Sequence, residues 1–533
     1  AAALAAGSAV IVKPAPPARR CAAELVRDFH DAGIPEDLVA LAPLEDGEVS
    51  RHLVTHKDVD RVVLTGSYDT ARLFRSWKPD MHLLGETSGK NAIIVTPSAD
   101  PDIAVRDAVY SAFAHAGQKC SASSLLVLVS SAGKSERIAR QLVDATASLR
   151  VRLPLSLDSQ MGPVVVPDDE KAVRGLTTLG VGEHWVLKPR YLGDGLWTPG
   201  IRAGVVPGSE FHLTEYFAPV IGVMRVDTLE EAIEAVNAVD YGLTSGLQTL
   251  DAAELAVWLD SIQAGNIYVN RGITGAIVRR QPFGGWKRSA IGSTTKAGGP
   301  SYLLGLGDVE PADGQDVKEL AGQGTAALDP RVASLCDAVS GQLGEADLAG
   351  LRHALVADAS AWRSAYGVNR DVTALACERN VLRYRPTDVL VRAGAGTELA
   401  DVVRVMAAGV RAGGFVSLSV ADRLPQPLQN ALQAAGVQVA VEDQGAWDAR
   451  LAELSASGGL GTRVRILGPR EETSAARWSH ASRVTGGSPD IALYTGAVTA
   501  CPHSELLPFL REQAVAITNH RFGTPLDLAE GLL

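Results

Sequence analysis

A chain of 533 residues is too long for one compact core, so two or three domains are expected. With 46% hydrophobic, 21% charged and 5% aromatic residues it reads as an ordinary globular chain, which excludes extended disorder. A formal net charge of -11, with no dense Lys/Arg cluster, excludes a nucleic-acid partner, since phosphate contacts need a basic face.

Five cysteines, at 21, 120, 336, 377 and 501, are odd in number, scattered and free of CxxC spacing. Neither a disulfide framework nor a metal site is expected from them, and a reducing, cytoplasmic location fits better. No apolar run reaches the length of a membrane span. The start, AAALAAGSAVIVKP, is apolar but has no charged segment before it and runs straight into a strand. It therefore reads as the interior of a domain rather than as a signal peptide.

In chain order, AVIVK (9–13) is a short β-branched strand and 18–31 a helix ended by Gly33 and Pro35. LVALAPL (38–44) and DRVVLTGS (60–67) are strands, with a helix over 69–77. NAIIVTP (91–97) is a buried strand, the segment from Asp100 a helix opened by acids and Pro, and SSLLVLVS (123–130) the next strand. EAIEAVNAV, GLTSGLQT, AAELAVWLDSI and GNIYVN continue the alternation. This is the α/β pattern of a parallel, doubly wound sheet. Residues 307–329, rich in Gly, Ala and acids, form the best linker. Beyond them TDVLVRA, GGFVSLSV, VQVAVED, TRVRILG and DIALYTG make a second α/β unit.

Four groups of residues carry chemistry. GQKCS (117–121) puts Cys120 on an open turn between a helix and a strand, where backbone N–H groups can favour a thiolate. ETSGKN (86–91) puts Glu86 before a Gly turn, a good place for a general base. VIVKP (10–14) and LTGS (64–67) end predicted strands, where Lys13, Gly66 and Ser67 can meet a nucleotide. EYFAPV (215–220) and PFGGWKRSAIG (282–292) are turns with aromatic anchors. A lone cysteine or glutamate is more often a small buried hydrophobe or a turn cap.

In this order, however, the segments resemble the aldehyde dehydrogenase superfamily over roughly residues 1–305. GQKCSAS, TGAIVRRQPFGG and TPSADPD are similar to the glutamate-γ-semialdehyde (pyrroline-5-carboxylate) dehydrogenase branch. Residues 330–533, including REQAVAITNHRFGTP (511–525), resemble the extra α/β domain of long proline utilisation A proteins. The resemblance implies an incomplete Rossmann-like cofactor domain (1–85) and a catalytic domain (86–306). The linker (307–329) and a second aldehyde-dehydrogenase-like α/β domain without an evident active site (330–533) would follow.

It further implies Cys120 as nucleophile, Glu86 as general base and NAD as cofactor, held by Lys13, Gly66, Ser67, Glu215 and Phe217. Ser121, Gly275 and Ala276 would hold a substrate carboxylate, and Phe283 would line the aldehyde site. FAD is expected only in an upstream proline dehydrogenase domain, the implied partner, and a homo-oligomer is expected. Two departures stand out. Pro16 occupies the place of the family's ribose-binding acid, and the family's oxyanion-stabilising Asn lies upstream of VIVKP. Those departures keep a second reading open, a scaffold or tunnel-closing module. GAGT (394–397) after DVLV resembles a dinucleotide turn only weakly.

Overall fold

The computed structural model describes residues 1–293, 295–310 and 328–533. Most of the expected linker, 311–327, lies outside the described residues. Contacts divide the chain into two units. One comprises Ala1–Gly85, Ala290–Asn369 and Arg383–Glu512; the other Glu86–Ser289, Arg370–Leu382 and Gln513–Leu533.

The second unit is built on a nine-stranded sheet. Its order is Glu378–Pro386, Leu510–Thr518, Asn266–Val269, Thr244–Gln248, Asn91–Val95, Ser123–Val129, Val220–Val226, Gly200–Val205 and His184–Leu187. From Leu510–Thr518 to Gly200–Val205 all neighbours are parallel, and His184–Leu187 at one edge is antiparallel to its neighbour. The period-2 alternation of strand side chains splits each run between two apolar clusters. Ala92 and Ile94 join one cluster with Leu125, Val127, Val220 and Met224. Ile93 and Val95 join the other with Leu126, Leu128, Ile221 and Val223. Both faces are therefore covered, which is why NAIIV and SSLLVLV read as near-continuous apolar runs.

The helix Pro101–Phe113 follows from its start signals. Pro101 occupies the first turn, and Asp100 Oδ1 accepts from Asp102 N at 2.9 Å and Ile103 N at 3.2 Å.

In the first unit all five C-terminal strand expectations are met. Gln438–Val441, Val416–Val420, Val389–Ala393, Thr462–Leu467 and Ile491–Tyr494 form a parallel sheet in that order. The helix Leu399–Ala412 is buried on most sides and packs Val403, Met406 and Val410 into that core. Arg404 inside it is matched by Asp358, two bonds at 2.6 and 2.9 Å, so the buried charge is compensated. The N-terminal strands are Val10–Val12 paired in parallel with Val39–Leu41, and Arg61–Thr65 in a three-stranded sheet with His82–Glu86 and Ala290–Ile291.

The sequence division placed 330–533 in one domain. In the structure 370–382 and 513–533 group with 86–289 instead. The cause is the segment Gln513–Thr518: its apolar residues feed both clusters of the nine-stranded sheet, where Ala514–Ile517 pair with Asn266–Val269.

Candidate active site

After the helix Pro101–Phe113 the chain takes three consecutive left-handed residues, His115 (φ 57°), Ala116 (φ 55°) and Gly117 (φ 68°). Such a run is unfavourable for side-chain-bearing residues and marks an imposed turn. Gly117 is required there, since a Cβ would lie 2.4 Å from the Ala218 carbonyl oxygen. The turn closes with Ala122 N donating to Lys119 O at 2.9 Å, and leaves Cys120 part-exposed at its apex.

GQKCS and ETSGKN meet through Asn91. Its side-chain amide donates to the carbonyls of Cys120 (2.7 Å) and Ala122 (2.9 Å), while its Oδ1 accepts from Thr244 N at 3.0 Å. Gly89 lies so close that a Cβ would stand 2.4 Å from the Cys120 carbonyl oxygen. Sequence reading gave Asn91 no role, although it stands inside a motif singled out for Glu86.

The register explains the gathering. Asn266 pairs with Thr244, and Asn91 with Ser123, at the N-terminal ends of adjacent parallel strands. Cys120 shortly precedes Ser123–Val129 at this edge, and Glu86, the last residue of His82–Glu86, shortly precedes Asn91–Val95. PFGG comes back to it because Asn266 donates to the Pro282 carbonyl (3.0 Å) and accepts from Gly284 N (3.1 Å). The intervening loop with Gly275 and Ala276 runs beside the helix Pro101–Phe113, where Ile273 N donates to Ser111 Oγ at 3.0 Å. Ser121 is buried, and its carbonyl accepts from Thr244 Oγ1 at 3.3 Å; Phe283 is part-buried.

The electrostatics are set by burial and carboxylates. Burial, then the charges of Glu215 and Glu86, push the Cys120 thiol up to about 11, against the N–H groups of Ser121 and Cys120, which favour the thiolate. Both carboxylate oxygens of Glu86 are buried. Burial raises the Glu215 carboxyl, opposed by the N–H of Gly89, whose bond to Oε1 is 2.9 Å, by Ser88, and by Lys171 and Lys90. Phe217 follows in a left-handed conformation (φ 52°) and accepts from Gln118 Nε2 at 3.1 Å. An aromatic residue held so is strained, a mark of a site shaped from outside.

Lys90 is a further charged group that sequence reading passed over. It is buried, with Nζ 4.1 Å from the Phe211 ring centroid. Burial pulls it down to about 7, with Glu215 and Glu183 opposing.

Because the resting thiol titrates near 11, its thiolate fraction at about pH 7 is roughly one part in ten thousand. Iodoacetamide alkylation of Cys120, followed by peptide mass, should rise about tenfold per pH unit from about pH 7 to 10. A plateau below about pH 8.5 would contradict the raised thiol.

The remaining cofactor candidates stand in the first unit. Lys13 Nζ donates to Asp46 Oδ1 at 2.8 Å, just past the strand parallel to its own. Asp46 thus sets a carboxylate beside Lys13 although position 16 is Pro. Gly66 is exposed, and Ser67 Oγ caps the helix Tyr68–Trp77, accepting from Thr70 N at 3.0 Å. After GAGT, Glu398 is the N-cap and Asp401 lies in the first turn of the following helix, so the charge at that helix start is negative and disfavours a phosphate.

A part-exposed cysteine with backbone donors at its sulfur and buried carboxylates beside it thus stands on one edge of the mostly parallel sheet of an α/β protein. Residues 1–305 match the aldehyde dehydrogenase family, and the chain belongs to that family and has its fold. The structure of proline utilization A (PutA) from Corynebacterium freiburgense is 41% identical with a TM-score of 0.81, over 98% of this chain and 48% of that one. The bifunctional protein PutA of Rhizobium meliloti is 33% identical over 461 residues, 82% of this chain and 35% of the relative. The 1-pyrroline-5-carboxylate dehydrogenase of Bacillus subtilis is 33% identical over 314 residues, 57% of this chain and 60% of the relative. A 1-pyrroline-5-carboxylate dehydrogenase from Thermus with bound NAD is 33% identical with a TM-score of 0.52, over 56% of this chain and 59% of that one. The chain spans between 35% and 60% of the length of these curated relatives. Among the described residues no helix is long and apolar enough to cross a membrane.

Proposed function

We propose that this chain carries out the NAD-dependent oxidation of L-glutamate γ-semialdehyde to L-glutamate. The observation that carries the reading is one strand edge where Asn91 holds the Cys120 turn, Asn266 holds PFGG and Gly89 N holds Glu215, with the Glu215 and Glu86 charges acting on the Cys120 thiol. Relatives named 1-pyrroline-5-carboxylate dehydrogenase support the substrate.

Cys120 gives its proton to solvent and attacks the aldehyde carbon as the thiolate, and the carbonyl oxygen becomes an oxyanion held by the Cys120 backbone N–H. A bound NAD would supply the acceptor for the hydride that leaves the carbon. The product on Cys120 is a thioester, and Glu86 takes a proton from the water that hydrolyses it. Glu215 and Phe217 fit the cofactor's nicotinamide end, the carboxylate for ribose hydroxyls and the strained ring for packing. In the first unit, Lys13, Gly66 and Ser67 are the candidates to bind a nucleotide's ribose and phosphates. Asp46 supports a free 2′-hydroxyl there, because an acid repels a 2′-phosphate. Ser121, with the N–H groups of Gly275 and Ala276, would hold the substrate carboxylate. The relatives named PutA, one of them called bifunctional, support an upstream proline dehydrogenase partner that holds FAD.

NADH formation by the native protein tests this, with glutamate semialdehyde set against acetaldehyde, and NAD against NADP. We expect kcat/KM at least about 100-fold higher for the carboxylate-bearing aldehyde, as for a site that pairs a substrate polar group. No NADH with either aldehyde would favour the scaffold reading.

A further inference from the structure

The loop of residues 271–281 carries Gly275 and Ala276 in a shape its own sequence does not favour. Gly275 (φ 83°) and Arg279 (φ 66°) are both left-handed. A loop of this kind keeps one conformation only if its surroundings hold it. Both ends of it engage one carboxylate from a distant segment. Arg271, at the entry, places Nη1 2.8 Å from Glu378 Oε2. Gln281, at the exit, donates from Nε2 to Glu378 Oε1 at 2.9 Å and to the Asn380 side-chain oxygen. Gln281 Oε1 in turn accepts from Ile277 N at 2.9 Å, so the clasp reaches the middle of the loop.

The acceptor side is itself fixed. Asn380 N donates to Asp371 Oδ2 at 3.0 Å, and its Nδ2 to Thr373 Oγ1 at 3.2 Å. Glu378 is 16% exposed and Arg271 19%, which makes the pair far less screened than a surface ion pair. Burial alone would raise the Glu378 carboxyl, but Arg271, Asn380 and Gln281 outweigh it and hold it below its usual range. It is therefore charged at neutral pH.

We propose that Glu378 is a positioning residue that clasps the two ends of loop 271–281, and so sets the preference for an aldehyde bearing a carboxylate. This rests on the reading of Gly275 and Ala276 given above. Glu378 touches neither the reacting carbon nor the thiol; it acts through the geometry of two backbone N–H groups.

The test compares kcat and KM of the native protein with Glu378→Ala and Glu378→Gln, for glutamate semialdehyde, acetaldehyde and NAD. Glu378→Ala should raise KM for glutamate semialdehyde about tenfold, with kcat, the KM for NAD and acetaldehyde turnover within about twofold. Glu378→Gln keeps an acceptor for Gln281 and should recover part of the loss. The double variant with Arg271→Gln should cost no more than the worse single change, because the two act as one pair. A selective wild type with an equally selective Glu378→Ala overturns the clasp alone. Equal loss on both aldehydes in Glu378→Gln also overturns it, showing a general packing role. A wild type without preference for the carboxylate overturns the substrate reading and the clasp together.

Discussion

Cys120→Ala should abolish NADH formation and leave NAD binding in place. The expected fall in kcat is on the order of 10⁴-fold or more, because loss of the attacking atom removes the covalent route altogether. The substitution takes away only Sγ. The turn around it is made by Gly117, by Asn91 on the Cys120 carbonyl and by the Ala122–Lys119 bond, none of which uses the thiol. Cofactor affinity, read by calorimetry, should therefore change by less than about twofold, as expected for a site left intact. Residual turnover within about tenfold of wild type would move the nucleophile elsewhere.

Glu86→Gln separates the two halves of the reaction. The amide keeps the shape of the side chain but cannot take a proton from water. Thioester formation precedes that step, so the first turnover should still release one NADH per site. The following steady state should fall by roughly 10²- to 10⁴-fold, the usual worth of a positioned general base. Stopped-flow absorbance resolves the two phases. The charge of Glu86 also raises the Cys120 thiol, so the neutral variant should alkylate faster than wild type at a given pH. Loss of the burst would give Glu86 a role before hydride transfer, as the group that deprotonates Cys120.

Much of this was legible in the residues. The five strands of the C-terminal sheet are runs such as VLVRA and VSLSV, where β-branched residues and turn signals agree. The site motifs stood in the sequence too, and the structure brings Glu86, Cys120, Ser121, Glu215, Phe217 and PFGG into the same unit. What the sequence hid is long-range. Nothing local in AVAI (514–517) says that it pairs with Asn266–Val269 rather than with the nearby C-terminal strands, because a strand apolar on both faces fits any buried position. Asp46 brings a carboxylate to Lys13 from a different strand end, 33 residues away in sequence. Glu378 reaches loop 271–281 from 97 residues beyond Gln281. Lys90 follows the Gly of ETSGKN, and its burial against Phe211 singles it out.

The measurement that bears most directly on the account is rapid acid quenching of Glu86→Gln with NAD and glutamate semialdehyde, then peptide mass analysis of all five cysteines. The account predicts an acyl group on the Cys120 peptide in step with the first NADH, with Cys21, Cys336, Cys377 and Cys501 unmodified. NADH formed with Cys120 bare, or an acyl group on another cysteine, would contradict it.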